Sequence, residues 1–287
     1  LLLYYDEPAK KYFVYNHATG VTNQIAKDIT TLLYDEENDV PDDPNAYGLM
    51  RWTENDQYLL LYDRYDIWQV DPLGNQKSIC LTAGRASKIS YRFIATDRDE
   101  KFIKTGQQLL LRIFDEKDKT AGLATLVYGS NALNVLFKER VALSPQVQKA
   151  KDADALLYTK ETYAQSPTLF TSSTNGGSAN KLAATNAQQN DFNWGTAELF
   201  TWKAYTGKLT EGILYKPENF DATKKYPMIV YFYERNNQTL YNYVPPTPTA
   251  SRLNISFFVS RGYVVLVPDI WYKKGYPGQG AYYYILS

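Results

Sequence analysis

Four stretches of this sequence open alike: Leu1-Leu2-Leu3-Tyr4-Tyr5-Asp6, Leu59-Leu60-Leu61-Tyr62-Asp63, Leu109-Leu110-Leu111-Arg112-Ile113-Phe114-Asp115 and Ala155-Leu156-Leu157-Tyr158-Thr159. Their starts lie 58, 50 and 46 residues apart. Each is followed by a second β-rich run: 12–15, 65–70, 123–128 and 168–171. Turn residues then intervene, such as Ala18-Thr19-Gly20, Pro72-Leu73-Gly74-Asn75 and Asn175-Gly176-Gly177. A unit of a few strands that returns every ~40–50 residues is the pattern of propeller blades. Each blade buries its faces only against its neighbours, so the repeat must be stacked to be stable. An antiparallel sandwich also has short strands and Gly/Pro turns, but it need not repeat one strand pair. The repeat therefore favours a partial β-propeller over residues 1–189.

From about Asn190 the pattern changes. Residues 194–204 and 209–215 flank Tyr205-Thr206-Gly207-Lys208 and read as a β-hairpin. A continuous apolar strand, Met228 to Tyr233, follows Lys224-Lys225-Tyr226-Pro227. The loop Pro245-Pro246-Thr247-Pro248 precedes a helix expected from about Ala250 to Ser260, with Leu253, Phe257 and Phe258 at helical spacing and Arg261-Gly262 as its stop. A second continuous strand spans 263–269. A hairpin, then strand, helix and strand with fully apolar strands, is the opening of a mostly parallel sheet covered on both faces. Gly275-Tyr276-Pro277-Gly278-Gln279-Gly280 has the wrong glycine order for a dinucleotide fingerprint and reads as a flexible loop leading into a helix at 281–287.

Composition narrows the function. Lys plus Arg equals Asp plus Glu at 31 each. A nucleic-acid binder normally carries a basic excess, and a disordered chain has high net charge with few aromatics; this chain is 15% aromatic. No nucleic acid is expected as a partner, and a small molecule, peptide or protein remains. No run is long enough to span a membrane, the longest (257–270) being broken by Ser260-Arg261-Gly262. Leu1-Leu2-Leu3 is too short for a signal-peptide core, and both ends read as cuts. The lone Cys80 can form no intrachain disulfide and is expected to pack as a small hydrophobe. The acidic run 35–45 lacks the glycine and terminal glutamate of a calcium loop. It reads as a solvated inter-blade loop, in preference to a clamp in which Glu36 and Glu37 hold an amino group. Neither a cofactor nor a metal is expected.

Leu209-Thr210-Glu211-Gly212-Ile213-Leu214-Tyr215-Lys216-Pro217, Lys224 to Val230 and Arg261-Gly262-Tyr263-Val264-Val265 resemble the start of the catalytic domain of prolyl oligopeptidase-family serine peptidases, in the dipeptidyl peptidase IV-like branch. Residues 62–68 and 166–170 resemble blade strands of the same family. The resemblance implies two parts: the C-terminal blades of a propeller at 1–189, and the N-terminal portion of an α/β-hydrolase domain at 190–287, truncated before the nucleophile. It implies a parent enzyme that hydrolyses short peptides through an acyl-enzyme, with serine, aspartate and histidine in that chain order. By motif position Tyr233 corresponds to the family's oxyanion-stabilising tyrosine.

The departures are specific. No Gly-x-Ser-x-Gly elbow occurs in the sequence. Ser130, Ser178 and the single histidine, His17, fall in turns of the propeller part. The triad is thus expected outside this chain, which alone should be inactive. Glu234 and Arg235 replace the small residues often found after the tyrosine, which puts aminopeptidase-type specificity in doubt. A non-catalytic propeller scaffold and an esterase on the same fold are the alternatives. By resemblance the parent is expected to be periplasmic or secreted. Its oligomeric state stays open, a homodimer of the parent included.

Overall fold

A computed structural model describes residues 1–97 and 99–286. It divides into two compact units. The first comprises Leu1–Lys117, Ala121–Lys138 and Thr174–Gly176; the second comprises Asp118–Thr120, Glu139–Ser173 and Gly177–Ser287. The boundary expected at 189/190 lies inside the second unit, on the short 3-10 turn Ala187–Asp191.

The first unit holds three sheets. Strands β1 (Leu2–Asp6), β2 (Lys11–Asn16) and β3 (Val21–Gln24) form an antiparallel meander. A five-stranded sheet has the order β7-β6-β5-β4-β9, from β4 (Leu49–Thr53), β5 (Leu59–Tyr62), β6 (Ile67–Val70), β7 (Ile79–Cys80) and β9 (Phe102–Ile103). Its last strand pairs in parallel with β4. The third sheet runs β12-β11-β10-β8, from β8 (Ile89–Phe93), β10 (Gln108–Asp115), β11 (Ala121–Val127) and β12 (Ala132–Glu139). Leu59, Leu60, Leu61, Leu109 and Leu111 are fully buried, so both faces of β5 and β10 lie in apolar surroundings. That explains why the triple-leucine runs break the usual polar/apolar alternation of a half-exposed strand.

In the second unit, β13 (Ala142–Leu143), β14 (Gln148–Lys149), β15 (Leu156–Thr162), β16 (Gln165–Ser172) and β17 (Asn180–Ala184) form one more antiparallel sheet. All four repeated strand pairs of the sequence are antiparallel hairpins: β1/β2, β5/β6, β10/β11 and β15/β16.

The remaining sheet is mixed and ordered β18-β19-β21-β20, from β18 (Thr196–Lys203), β19 (Leu209–Lys216), β20 (Met228–Val230) and β21 (Val264–Pro268). The predicted hairpin is β18/β19, while β20 and β21 run parallel. Ile213, Tyr215, Val265 and Val267 bury one side of this sheet with Val259 and Leu240. Gly212 makes the β19/β21 approach possible, because a Cβ there would lie 2.8 Å from the Cα of Pro268 and the carbonyl oxygen of Val267. The expected fold class, multidomain β and α/β with blade-like sheets followed by the start of an α/β-hydrolase sheet, agrees with this architecture.

Several local expectations are corrected. The strand expected to reach Tyr233 ends at Val230, after which the Tyr231 N–H still bonds the Leu266 carbonyl at 2.9 Å and Glu234 turns the chain at φ 51°. The helix expected at 250–260 is only α1 (Ile255–Val259), because Asn254 caps it by accepting the Phe257 N–H at 2.9 Å. The glycine-rich segment is a turn only as far as Tyr276. Helix α2 (Pro277–Leu286) begins at its proline, whose fixed φ suits the first helical position, and takes in Gly278 and Gly280. Ser287, the last residue of the expected helix, lies outside the described residues. The acidic run is not simply solvated: Glu37 pairs with Arg64 at 2.7 Å and Glu36 with Arg85 at 2.6 Å. Both arginines lie over the Tyr65 ring, and Tyr65 itself donates its hydroxyl to Glu116 at 2.7 Å. Among the described residues, no helix is long and apolar enough to cross a membrane.

Candidate active site

The carboxyl ends of β20 and β21 sit side by side because the two strands are parallel, and in open α/β sheets ligands bind at those ends. The chain leaving β20 carries Tyr233, which is 71% exposed. The chain leaving β21 begins with Asp269, which is 2% exposed. The two segments are tied together. One Asp269 carboxylate oxygen accepts the backbone N–H of Asn236 at 2.7 Å and that of Asn237 at 3.0 Å. The other accepts the Asn237 side-chain amide. One residue on, the Ile270 N–H donates to the Glu234 carbonyl at 2.9 Å, and the Glu234 N–H donates to the Tyr272 hydroxyl at 3.4 Å. Asn236 closes the turn by donating its side-chain amide to the Tyr233 carbonyl at 2.7 Å. The phenol therefore stands in solvent on a loop whose backbone is pinned beneath it.

Charge is organised behind that loop. The Glu211 side chain, on β19, accepts from Lys119 at 2.7 Å and from the Asn237 amide at 3.0 Å. Lys119 is 4% exposed and the Glu211 side chain 29%, so the lysine end of this ion pair is withdrawn from water. Burial pushes the Asp269 carboxyl above its usual range, an effect strengthened by neighbouring Glu211 and opposed by the Asn236 and Asn237 N–H groups and by Lys119. Trp271 comes two residues after the Asp269 anchor. The Lys208 ammonium lies 3.3 Å from the centre of its ring and the Arg235 guanidinium carbon 4.4 Å.

Tyr233 was the one site residue read from the sequence, and it lies three residues beyond the end of β20, on the loop that follows. Of the candidates set aside, His17 is in the exposed β2–β3 turn, Ser130 in the β11–β12 turn and Ser178 in the loop before β17. Sequence reasoning missed Asp269, Asn236, Asn237, Glu211 and Lys119. Asp269 did leave a trace, as the acidic residue closing the apolar run Val264–Pro268. Lys119 left none, because it reaches Glu211 across 92 positions of sequence. Among the described residues no group of three or more His, Cys, Asp or Glu is arranged to hold a metal ion.

No family model and no curated protein matches the sequence. Solved structures do match. Dipeptidyl peptidase 4 of Porphyromonas gingivalis superposes with a TM-score of 0.61 at 13% identity, over 96% of this chain and 37% of its own. A post-proline cleaving enzyme of Rickettsia typhi gives 0.54 at 12% identity, over 96% and 40%. A puromycin-hydrolyzing peptidase of Mycobacterium tuberculosis gives 0.51 at 13% identity, over 83% and 36%. The chain has the fold of prolyl oligopeptidase-type peptidases. It spans about two fifths or less of the length of each of these enzymes. The likeness runs through both the blade-like sheets and the β18–β21 sheet, since it takes in nearly the whole chain.

Proposed function

We propose that this chain is part of a prolyl oligopeptidase-family serine peptidase of the dipeptidyl peptidase IV-like branch, cleaving short peptides through an acyl-enzyme. Residues 1–189 would be the last blades of its propeller and 190–287 the opening of its hydrolase domain. The observation that carries the reading is Tyr233, exposed on a pinned loop at the carboxyl end of β20. A phenol so placed can donate its hydroxyl to the substrate carbonyl oxygen as that oxygen gains negative charge. The pinned backbone lets it do so without reorganising in the transition state. Serine, histidine and aspartate would act from sequence beyond these residues, the serine attacking the carbonyl carbon and expelling the amine after the histidine protonates it. Export to the periplasm or the medium is part of the same proposal.

The test is the full-length protein carrying these residues, assayed on a panel of short peptide amides. Tyr233→Phe should lower kcat by roughly 10²–10³-fold with little change in KM, the cost of removing one oxyanion donor. Its stability should change by less than ~0.5 kcal/mol, since the hydroxyl is exposed. Unchanged kcat in a folded Tyr233→Phe variant would refute the role, and the absence of any peptide hydrolysis would refute the peptidase reading.

A further inference from the structure

The hydrogen-bond network of the Tyr233 loop includes a buried cation, Lys119, in a conformation that does not favour a lysine. The residue lies in the segment Asp118–Thr120, which belongs to the second unit. Thr120 closes a turn there, donating its N–H and its hydroxyl to the Asp118 carboxylate at 3.0 and 2.6 Å. The backbone of Lys119 is left-handed, with φ at 62°. Glycine or asparagine adopts that conformation at lower cost, so the turn itself gives no reason for a lysine. Burial gives none either: the residue is 4% exposed, and an ammonium withdrawn from water is costly unless it is paired. A strained residue carrying a buried charge points to a task for that charge.

The charge stands on a chain of contacts that reaches the Tyr233 backbone. Nζ of Lys119 lies 2.7 Å from Oε2 of Glu211. The same oxygen accepts from Nδ2 of Asn237 at 3.0 Å, and Nδ2 also donates to Oδ2 of Asp269. One neutral amide thus bridges two carboxylates, with an N–H for each. The next residue back, Asn236, donates its side-chain amide to the Tyr233 carbonyl at 2.7 Å. The Tyr241 hydroxyl donates to the Asp118 carbonyl at 3.2 Å, so the 118–120 segment meets the stretch after Tyr233 a second time. Two carboxylates on one amide repel each other, the more so where water is scarce. Lys119 is paired with one of them.

We propose that Lys119 is a positioning residue for Tyr233: its ammonium balances one of the two carboxylates that share the Asn237 amide, so that both can hold the loop that carries the phenol. The role rests on the peptidase reading, in which that phenol is the oxyanion donor. Lys119 acts through Glu211 and Asn237, and the loop depends on its charge, not on its shape.

Two variants of the full-length protein separate charge from shape. K119M leaves Glu211 and Asp269 on the shared amide without the lysine. K119M/E211Q removes the second charge as well, while the glutamine oxygen can still accept from Asn237. Protection of the Asn236 and Asn237 amides from hydrogen exchange, read without substrate, should fall about tenfold in K119M and return to within about threefold of the unaltered protein in K119M/E211Q. On a short peptide amide kcat should follow the same course, about tenfold down and then restored, with KM within about twofold throughout, because only a transition-state contact is lost. Added to Tyr233→Phe, K119M should change kcat by less than about twofold, since misplacing a donor matters only where the donor exists.

Unchanged protection in K119M, or a loss that K119M/E211Q does not repair, would overturn the role; the second result would assign Lys119 to packing. Equal slowing by K119M with and without the Tyr233 hydroxyl would overturn it too, because the effect then bypasses the phenol. Should K119M fail to fold, K119M/E211Q decides alone: protection and kcat near those of the unaltered protein support the balance of charge, and a loss like that expected of K119M overturns it. If no peptide is hydrolysed, the peptidase reading fails by itself. Protection lost in K119M and regained in K119M/E211Q would then still support the hold on the loop, and unchanged protection would overturn it.

Discussion

Removing the Asp269 carboxylate should loosen the Tyr233 loop before it unfolds anything else. In Asp269→Ala the N–H groups of Asn236 and Asn237 and the Asn237 side-chain amide lose their acceptor together. A hydrogen bond to a charged group contributes about 1.5–3 kcal/mol net, and an unsatisfied buried donor costs about 1–3 kcal/mol. The three bonds share one carboxylate and do not add, and water can reach the exposed side of the loop. A loss of about 3–5 kcal/mol is therefore expected, the range for breaking a buried charged network by removing one member. Because the lost bonds hold one loop, most of this should appear as local opening. Hydrogen exchange at the Asn236 and Asn237 amides reads it directly: at about 1.4 kcal/mol per factor of ten, exchange should quicken by at least ~100-fold. The β10/β11 amides, in the other unit, should change far less. Urea unfolding of the same variant gives the global part. Protection of the two amides unchanged within about threefold (~0.7 kcal/mol) would refute the anchoring role, and equal acceleration at the β10/β11 amides would show the cost to be global.

Asp63 should make the first unit acid-sensitive. Burial alone would raise its carboxyl, but the Asp66 and Tyr65 N–H groups, the Thr31 hydroxyl and the Trp68 indole N–H outweigh that and hold it below the ordinary 3.8. The unfolded chain then binds the proton first as pH drops, so this stability is complete above 3.8 and is lost as pH falls toward the depressed folded value. Asp63→Asn should flatten that part of the urea-midpoint profile; an unchanged slope contradicts it. Cys80 should react slowly: its thiol donates to the Thr82 carbonyl at 2.8 Å, and burial, helped by Asp66, pushes it up to about 11. Ellman's reagent at pH 8 should modify it roughly 100-fold more slowly than an unhindered thiol, and a rate within about threefold of that reference would contradict the assignment. Gly212→Ala would drive a methyl against the backbone of Pro268 and Val267. It should cost more than ~2 kcal/mol in urea unfolding and expose the β19/β21 amides, whereas a neutral substitution would mean the strands can part freely.

The repeat was legible because it is written in the chain at short range. A run of two or three leucines followed by a second β-rich run specifies a hairpin whatever surrounds it, and β5/β6, β10/β11 and β15/β16 formed as read. What failed was the reading of ends. Apolar character continues from Val230 through Tyr231 and Phe232, yet the strand stops, because the departure of the chain is dictated by Asp269, just beyond β21, and by the left-handed Glu234. Glycines at 278 and 280 argue for a loop by propensity. The proline at the first helical position and the packing around Tyr284 override them.

The same division explains the site. Tyr233 was assigned by its position in the family motif, and it lies on the loop after β20, the end of a parallel strand at which α/β sheets bind ligands. Its supporting groups depend on pairs 26, 32, 33 and 92 residues apart, and no local signal links Lys119 with Glu211 or Asn237 with Asp269. Glu36 and Glu37 make the point in reverse. In sequence they stand in an acidic run without a cation, but folding brings Arg85 and Arg64 to them from 49 and 27 positions away. Those pairs commit both glutamates to arginines within the first unit. A free amino group arriving there would have to displace an arginine, whose charge would then be left beside the rest of the cluster.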